Sequence, residues 1–354
     1  MMKKILSICK PSYNRFDVLV PDIKEYLSID DDRLIIKVND NCSINPEIQT
    51  LKDLACSNEN VILNINNKNE GPIPNFISAL SNAPSDYVML LLDKDTIDIR
   101  LLPEFIDYLE KEKPNFGFID LGNNKPKHEE RFKAGYDAIS NVGYLRKHPS
   151  GYFWRADLLY EELDKPYFKE MDPSFDFPFG AICGSLASRY DATILYWPLI
   201  INETMRVNES EMPKTKSYND DNFYFGKRLS IMAYKYFYSN LMTLNMEKKE
   251  RWILSTQLTN EAIIWVTISL RSLFRRKNVC DHYNLTVRKI GFPELLKNTN
   301  DIICLYKSLS ASRYNRFTIY LTSCFFYCKS VVRSFLHCAK DLIVKPKEEP
   351  LRAG

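Results

Sequence analysis

The chain has 354 residues, of which 45% are hydrophobic and 26% charged, and a formal net charge of +3. This balance excludes a disordered polymer and is sufficient for one sizeable domain with an appendage. The small total hides an asymmetry, 29 cationic against 36 acidic side chains in residues 1–240 and 19 against 9 in residues 241–354, so the two parts are expected to meet different partners.

Nine cysteines, an odd number scattered without a C-x-x-C pair or a His/Cys cluster, argue against a disulfide framework or a structural zinc site. A reducing, cytoplasmic compartment is expected. The start, "MMKKILSICK", places only five residues between its basic pair and Lys10, too few for the apolar core of a signal peptide. The longest uncharged apolar runs, Ala262–Leu270 and Phe317–Cys328, are about half the ~20 residues of a membrane-spanning helix.

In chain order, short apolar runs alternate with helix-like stretches: "KKILSIC" before Phe16–Leu27, "RLIIKV" before Pro46–Cys56, "NVILNI" before Ile73–Ala83, "YVMLLL" before Ile99–Lys111, then "FGFIDL". The repetition predicts an α/β fold with a mostly parallel sheet flanked by helices. Residues 123–144, long and polar, read as a loop. "HPSGYFWRADLL" passes from a turn into an aromatic strand or helix start, Phe179–Arg189 reads as a helix and "ATILYWPLII" as a strand. Beyond Asn222 nearly everything reads as helix: Phe223–Leu244, Lys248–Arg275, Phe292–Ser308 and Arg316–Val344. The expected division is a catalytic domain over residues 1–222 and a mainly helical region over 223–354.

In an open sheet of this kind ligands sit beyond the carboxyl ends of the strands. There the chain reads "CKPSYNR", "VNDNCS", "NNKNEGPIPN" and "DKDTID". Turn chemistry and helix capping explain any one of these junctions, but four on one sheet edge favour a site. In extended chain Asp93 and Asp95 would point to the same side with Lys94 turned away. Two carboxylates so placed suit a hard divalent cation that keeps waters and takes further ligands from substrate phosphates. The same residues would also serve as a strand end and a helix cap.

"LSICKPSYNR", "VNDNCS", "NEGPIPNFISAL" and "SDYVMLLLDKD" together resemble, in order and spacing, the successive motifs of family 2 glycosyltransferases with the GT-A fold, of the bacterial surface-polysaccharide type. The resemblance covers about the first 120 residues, and "HPSGYFWRADLL" through "YWPLI" more loosely. It implies that Pro11, Ser12 and Tyr13 hold the nucleotide base, that Asp40 contacts base or ribose, and that Asn69, Gly71 and Asn75 border nucleotide or sugar. It further implies that Asp93 faces ribose and donor sugar and, with Asp95, the metal, Mn²⁺ or Mg²⁺. An arginine frequent in relatives at the third junction is lacking. An inverting transferase needs a general base, and the resemblance puts it in "FKEMDPSFDFPFGAICGSLA", where Asp176 is the first candidate and Asp172 the second. Asp176 lies nearest the start of the Phe179 helix, whose dipole would keep a carboxylate ionised. His148 and Trp154 would lie on the acceptor side, although a structural histidine and a core tryptophan fit as well.

The implied activity is transfer of a sugar from a nucleotide-sugar donor, with a UDP-sugar foremost, to a glycan or lipid-linked acceptor. Two alternatives stand beside it: a nucleotidyltransferase, whose usual glycine-rich phosphate loop is missing from "CKPSYNR", and a non-catalytic glycan- or membrane-binding protein. From Arg316 the 3.6-residue period gathers Lys329, Arg333, His337, Lys340 and Asp341 on one helix face and the apolar residues on the other. The apolar face of such a helix ordinarily packs on its own domain. The alternative is peripheral attachment to an anionic membrane surface on the cytoplasmic side, which the charge of this region and Arg271, Arg275, Arg276 and Lys277 suit. Self-association is the other use for such helices. No nucleic-acid partner is expected, because no recognised binding module accompanies the charge.

Overall fold

The computed structural model describes residues 3–120, 126–172, 175, 177–201, 226–282 and 285–343. They fall into two compact units, one within Met1–Asn208 and one within Glu209–Arg352.

The first unit opens with β1 (Leu6–Ser12), α1 (Phe16–Leu27), β2 (Leu34–Asp40), α2 (Ile48–Ser57), β3 (Val61–Ile65), α3 (Pro72–Leu80) and β4 (Tyr87–Leu90). After β5 (Thr96–Ile97) come α4 (Leu102–Glu112), β6 (Phe116–Ile119), β7 (His128–Phe132), α5 (Tyr136–Val142), β8 (Tyr152–Arg155), α6 (Ala156–Leu163), α7 (Pro166–Lys169), α8 (Pro178–Ala187), β9 (Ala192–Tyr196) and β10 (Ile200–Ile201). Eight strands form one sheet in the order β3-β2-β1-β4-β8-β6-β9-β7, and β5 pairs with β10 in a small second sheet. The pairs β1–β2, β2–β3, β1–β4 and β6–β9 are parallel, while β8 runs antiparallel between β4 and β6. The expected mostly parallel sheet flanked by helices is therefore present.

Alternation along the strands divides the core. Leu6 and Ile8 of β1, Ile36 and Val38 of β2 and Met89 of β4 pack with Phe16, Leu19 and Ile23 of α1 and Phe105 and Ile106 of α4. On the opposite face the buried Lys37 ammonium caps the end of α3, donating to Ser78 O at 2.9 Å and Ala79 O at 2.7 Å. A cation there meets carbonyls that the helix leaves unsatisfied.

Residues 126–142 are not the loop expected from their polarity. β7 (HEERF) is an edge strand paired antiparallel with β9, and α5 follows it. The strand has no apolar alternation to read, since its contacts are a ring stack of His128 on Tyr196 at 4.3 Å and ion pairs from Arg131 to Glu112 and Glu129. Charged residues on an edge strand also blunt its tendency to pair with other chains.

The second unit is helical: α9 (Lys227–Thr243), α10 (Lys248–Ile264), α11 (Leu270–Arg275), α12 (Lys277–His282), α13 (Phe292–Ser310) and α14 (Arg316–Ile343), with a π-helical turn at Trp265–Ser269 joining α10 to α11. Within that turn the carbonyl of Val266 accepts from the buried Asn298 Nδ2 of α13 at 2.8 Å. Tyr234 Oη is hydrogen-bonded to Thr259 Oγ1 (2.8 Å), and Thr299 Oγ1 of α13 to Ser330 Oγ of α14 (2.6 Å). Helix α14 packs through Ile319, Thr322, Ser323, Phe326, Ser330 and Ser334, all buried, whereas Phe317, Leu321, Phe325, Val332, Phe335 and Leu336 face outward. This reverses the ordinary amphipathic arrangement.

Candidate active site

The ends of β1, β2 and β3 meet in a web of amides. Asn39 Nδ2 donates to Asn66 Oδ1 (3.0 Å) and Asn75 Oδ1 (2.7 Å), and Asn41 Nδ2 to Asn69 Oδ1 (2.9 Å) and Gly71 O (3.2 Å). Asn66 Nδ2 closes the web on Asn41 Oδ1 at 3.0 Å. Paired amides satisfy both their donors and their acceptors, so these junctions are rigid despite having no apolar side chains. Gly71 opens α3 at φ 89° and ψ 172°, a conformation close to glycine-only, and no atom lies within 4 Å of where a Cβ would stand. The backbone there is open for an incoming group to approach closely.

Pro11 and Ser12 lie opposite Asn39 and Asp40 across β1–β2, beyond the last β1–β4 pair at Cys9 and Leu90. The missing Pro11 N–H therefore costs no ladder bond on the β4 side. Ser12 Oγ is buried and has no hydrogen-bond partner among the described residues, the state expected of a group that a ligand completes. Tyr13 is 36% exposed. Asp40 is turned inward instead, its carboxylate fully buried and accepting from the Ser43 hydroxyl and from Ser43 N–H at 2.8 Å.

The acidic pair does not lie in extended chain. β4 stops at Leu90, and Asp95 N–H closes a turn on Leu92 O at 3.1 Å. The two carboxylates therefore meet different surroundings. Asp93 is partly exposed, and burial pushes its carboxyl above the usual carboxylate range, against the pull of Arg15, Lys10, the Tyr13 N–H and Lys94. Asp95 is fully buried, with its Oδ2 accepting from Ser150 Oγ and lying 3.7 Å from His148 Nδ1. Burial holds His148 below its ordinary value, Asp95 opposing and Lys94 assisting.

Two groups that the sequence reading passed over organise this pair. Lys10, wholly buried, donates to Asp95 O at 2.8 Å and lies 3.4 Å from Asp22 of α1. Burial lowers its pKa, while Asp22, Asp93 and Asp95 raise it. The signal was legible: Lys10 shares the i, i+2 face of β1 with Leu6 and Ile8, and a charge buried on that face needs a partner. Ser150 accepts from Leu92 N–H at 3.0 Å while donating to Asp95. The turn that carries it ends in Gly151, at φ 97°, where a Cβ would come within 2.9 Å of Ile200 Cδ1.

No three His, Cys, Asp or Glu side chains converge as a cage among the described residues. The donor set fits instead a cation held by one or two carboxylates and completed by phosphate oxygens and water. Bonds such as Ser150 to Asp95 are of the kind that orient a ligating carboxylate.

The remaining candidates separate. Trp154 is fully buried, stacked on Tyr152 at 5.6 Å and beside Phe179 of α8 at 5.9 Å. Tyr152 and Trp154 share the strand face that α8 covers, the core position that their sequence equally suited. Asp172 lies between α7 and α8, partly exposed, with its carbonyl accepting from Phe175 N–H at 2.9 Å. Asp176 lies outside the described residues.

Residues 7–160 match the model of glycosyl transferase family 2. S. aureus TarS shares the fold with a TM-score of 0.58 at 13% identity, over 93% of this chain and 55% of that one, so this chain spans little more than half the length of that protein. S. aureus TarS 1-349 in complex with UDP aligns with a TM-score of 0.56 at 12% identity, covering 95% and 92% of the two chains. The same protein in complex with UDP-GlcNAc gives 0.54 at 14%, with the same coverage. No curated protein sequence matches the chain. With the family 2 motifs on the ends of β1 to β4 of a GT-A sheet, residues 7–160 form a glycosyl transferase family 2 domain.

Proposed function

We propose that the chain transfers a sugar, with inversion, from a nucleotide-diphosphate donor to a hydroxyl of a glycan or lipid-linked acceptor in surface-polysaccharide synthesis. A UDP-sugar is the first candidate donor, a choice supported by the UDP and UDP-GlcNAc complexes of the structurally similar TarS. Residues 1–222 are assigned the donor and acceptor chemistry. The observation that carries the reading is the Asp93–Asp95 turn, fixed by Lys10 and Ser150 beside Tyr13 and the unpaired Ser12 hydroxyl.

In this reading the base stacks on Tyr13, Ser12 supplies a hydrogen bond, and the backbone at Gly71 allows close approach. The acceptor oxygen attacks the anomeric carbon as the bond to the diphosphate breaks, and its proton passes to a carboxylate, Asp176 or Asp172. A Mn²⁺ or Mg²⁺ held by Asp93 and Asp95 would neutralise the charge that grows on the leaving diphosphate. His148, whose pKa burial lowers, lies beside Asp95 and is assigned to the acceptor side.

Incubation of the full chain with UDP-sugars and Mn²⁺ should release UDP. Asp93→Ala and Asp95→Ala should each lower turnover at least about a hundredfold, as removal of transition-state charge stabilisation does. Release that is undiminished in both variants, or failure of the protein to bind UDP, removes the assignment.

A further inference from the structure

Helix α14 exposes an apolar surface. Phe317 (70% exposed), Leu321 (51%), Phe325 (57%), Val332 (59%), Phe335 (62%) and Leu336 (60%) lie along one side. Spaced by three, four or seven residues, they form a stripe from Phe317 to Leu336, about 30 Å of helix. The opposite side is the Ser/Thr-rich one, seated on its own unit through Thr299–Ser330. Folding has thus buried the small polar residues, with Ile319 and Phe326 among them, and left six other large aromatic and aliphatic ones in water, an unfavourable arrangement unless something else covers them.

The charge says what covers them. Between Asp301 and Asp341 the sequence has six cations, Lys307, Arg313, Arg316, Lys329, Arg333 and Lys340, and no carboxylate. Lys329, Arg333 and Lys340 border the stripe, together with Phe325, Val332 and Leu336 line one shallow groove, and form no ion pair among the described residues. The local field is positive enough that Arg271, Lys340 and Arg275 reinforce the effect of burial in holding His337 below its ordinary pKa. A second copy seated on this stripe about a two-fold axis would bring each cation row against its own image, which opposes pairing. None of the described helices is long and apolar enough to cross a bilayer.

We propose that α14 lies flat on an anionic lipid surface, its Phe317–Leu336 stripe among the acyl chains and Lys329, Arg333 and Lys340 at the phosphates. Long cationic side chains suit such a border, since their stems cover apolar surface while their heads reach the headgroups. The surface belongs to the second unit alone and does not depend on the chemistry proposed for the first.

The test is flotation of the full chain with phosphatidylcholine vesicles with and without phosphatidylglycerol. The protein should float with the anionic vesicles, less so in high salt, and stay behind with the neutral ones. Replacing Lys329, Arg333 and Lys340 by Gln should weaken partitioning about fivefold per cation removed. Phe325→Ser with Phe335→Ser and Leu336→Ser should weaken it at least about tenfold. All six positions lie on the outer face or its border, so thermal midpoints should hold, and the triple Gln variant gives an independent reading if the Ser variant misfolds. Three results overturn the proposal: no flotation with anionic vesicles, flotation unchanged in both variants, or a stable dimer that the Ser substitutions dissociate while vesicles bind nothing.

Discussion

The hydroxyl of Ser150 donates to the buried carboxylate of Asp95 and at the same time accepts the N–H of Leu92, tying the turn before β8 to the acidic turn after β4. One side chain thereby holds both the backbone at Leu92 and the carboxylate of Asp95.

Ser150→Ala removes that donor and leaves two buried polar groups short of a partner. Mn²⁺ affinity measured by calorimetry should fall about tenfold or more, the usual effect of losing a partner that orients a ligating group. Stability in urea should drop by about 1–3 kcal/mol, the desolvation cost of an unpaired buried group.

Asp93 governs a pH dependence. Its folded-state pKa is raised, chiefly by burial, above the ordinary value of 3.8, so the ionised form needed for a cation is complete only at higher pH. UDP binding with Mn²⁺, followed by fluorescence titration, should therefore have an acid limb above that ordinary value. Stability without cation runs the other way. The contribution of a carboxyl with a raised folded pKa is fully present below the unfolded value and is lost as pH rises through the folded one. Asp93→Asn should flatten the stability profile and abolish the limb.

Lys10→Met removes a fully buried cation and leaves the nearby carboxylates of Asp22, Asp93 and Asp95 without it. Breaking a buried ion pair from one side costs about 3 kcal/mol or more, which urea unfolding of the variant would read. A variant as stable as the parent would show that the carboxylates take up protons at little cost.

Gly71→Ala isolates the backbone. Space is open at this position, so the cost is conformational only, about 1–3 kcal/mol for a side chain at φ 89°. The thermal midpoint should fall by about 3 °C or more in a domain of this size. UDP binding should weaken as well if the ligand passes close to this glycine.

Much of this was written in the sequence. The apolar runs ending at Cys9, Val38, Ile65 and Leu92 located four strands, because β1, β2 and β4 are buried along their whole length and edge strand β3 along part of it. Their junctions held the candidate residues because sheet topology collects strand ends on one edge. Other features were not legible. β7 is held by ion pairs and a ring stack with residues distant in sequence, so its composition resembled a loop. The expected convergence of Asp93 and Asp95 assumed extended chain, whereas the Leu92–Asp95 turn gives them unequal burial.

Periodicity, charge and strand-end chemistry are properties of neighbouring residues, and they determined the sheet, the family motifs and the amphipathic stripe of α14. Long-range contact decided the rest: that Lys10 and Ser150 hold the acid pair, that Trp154 lies beneath α8, and that α14 turns its Ser/Thr side inward. A side chain's exposure depends on what packs against it from elsewhere in the chain, and a local pattern records two helix faces without saying which one is covered.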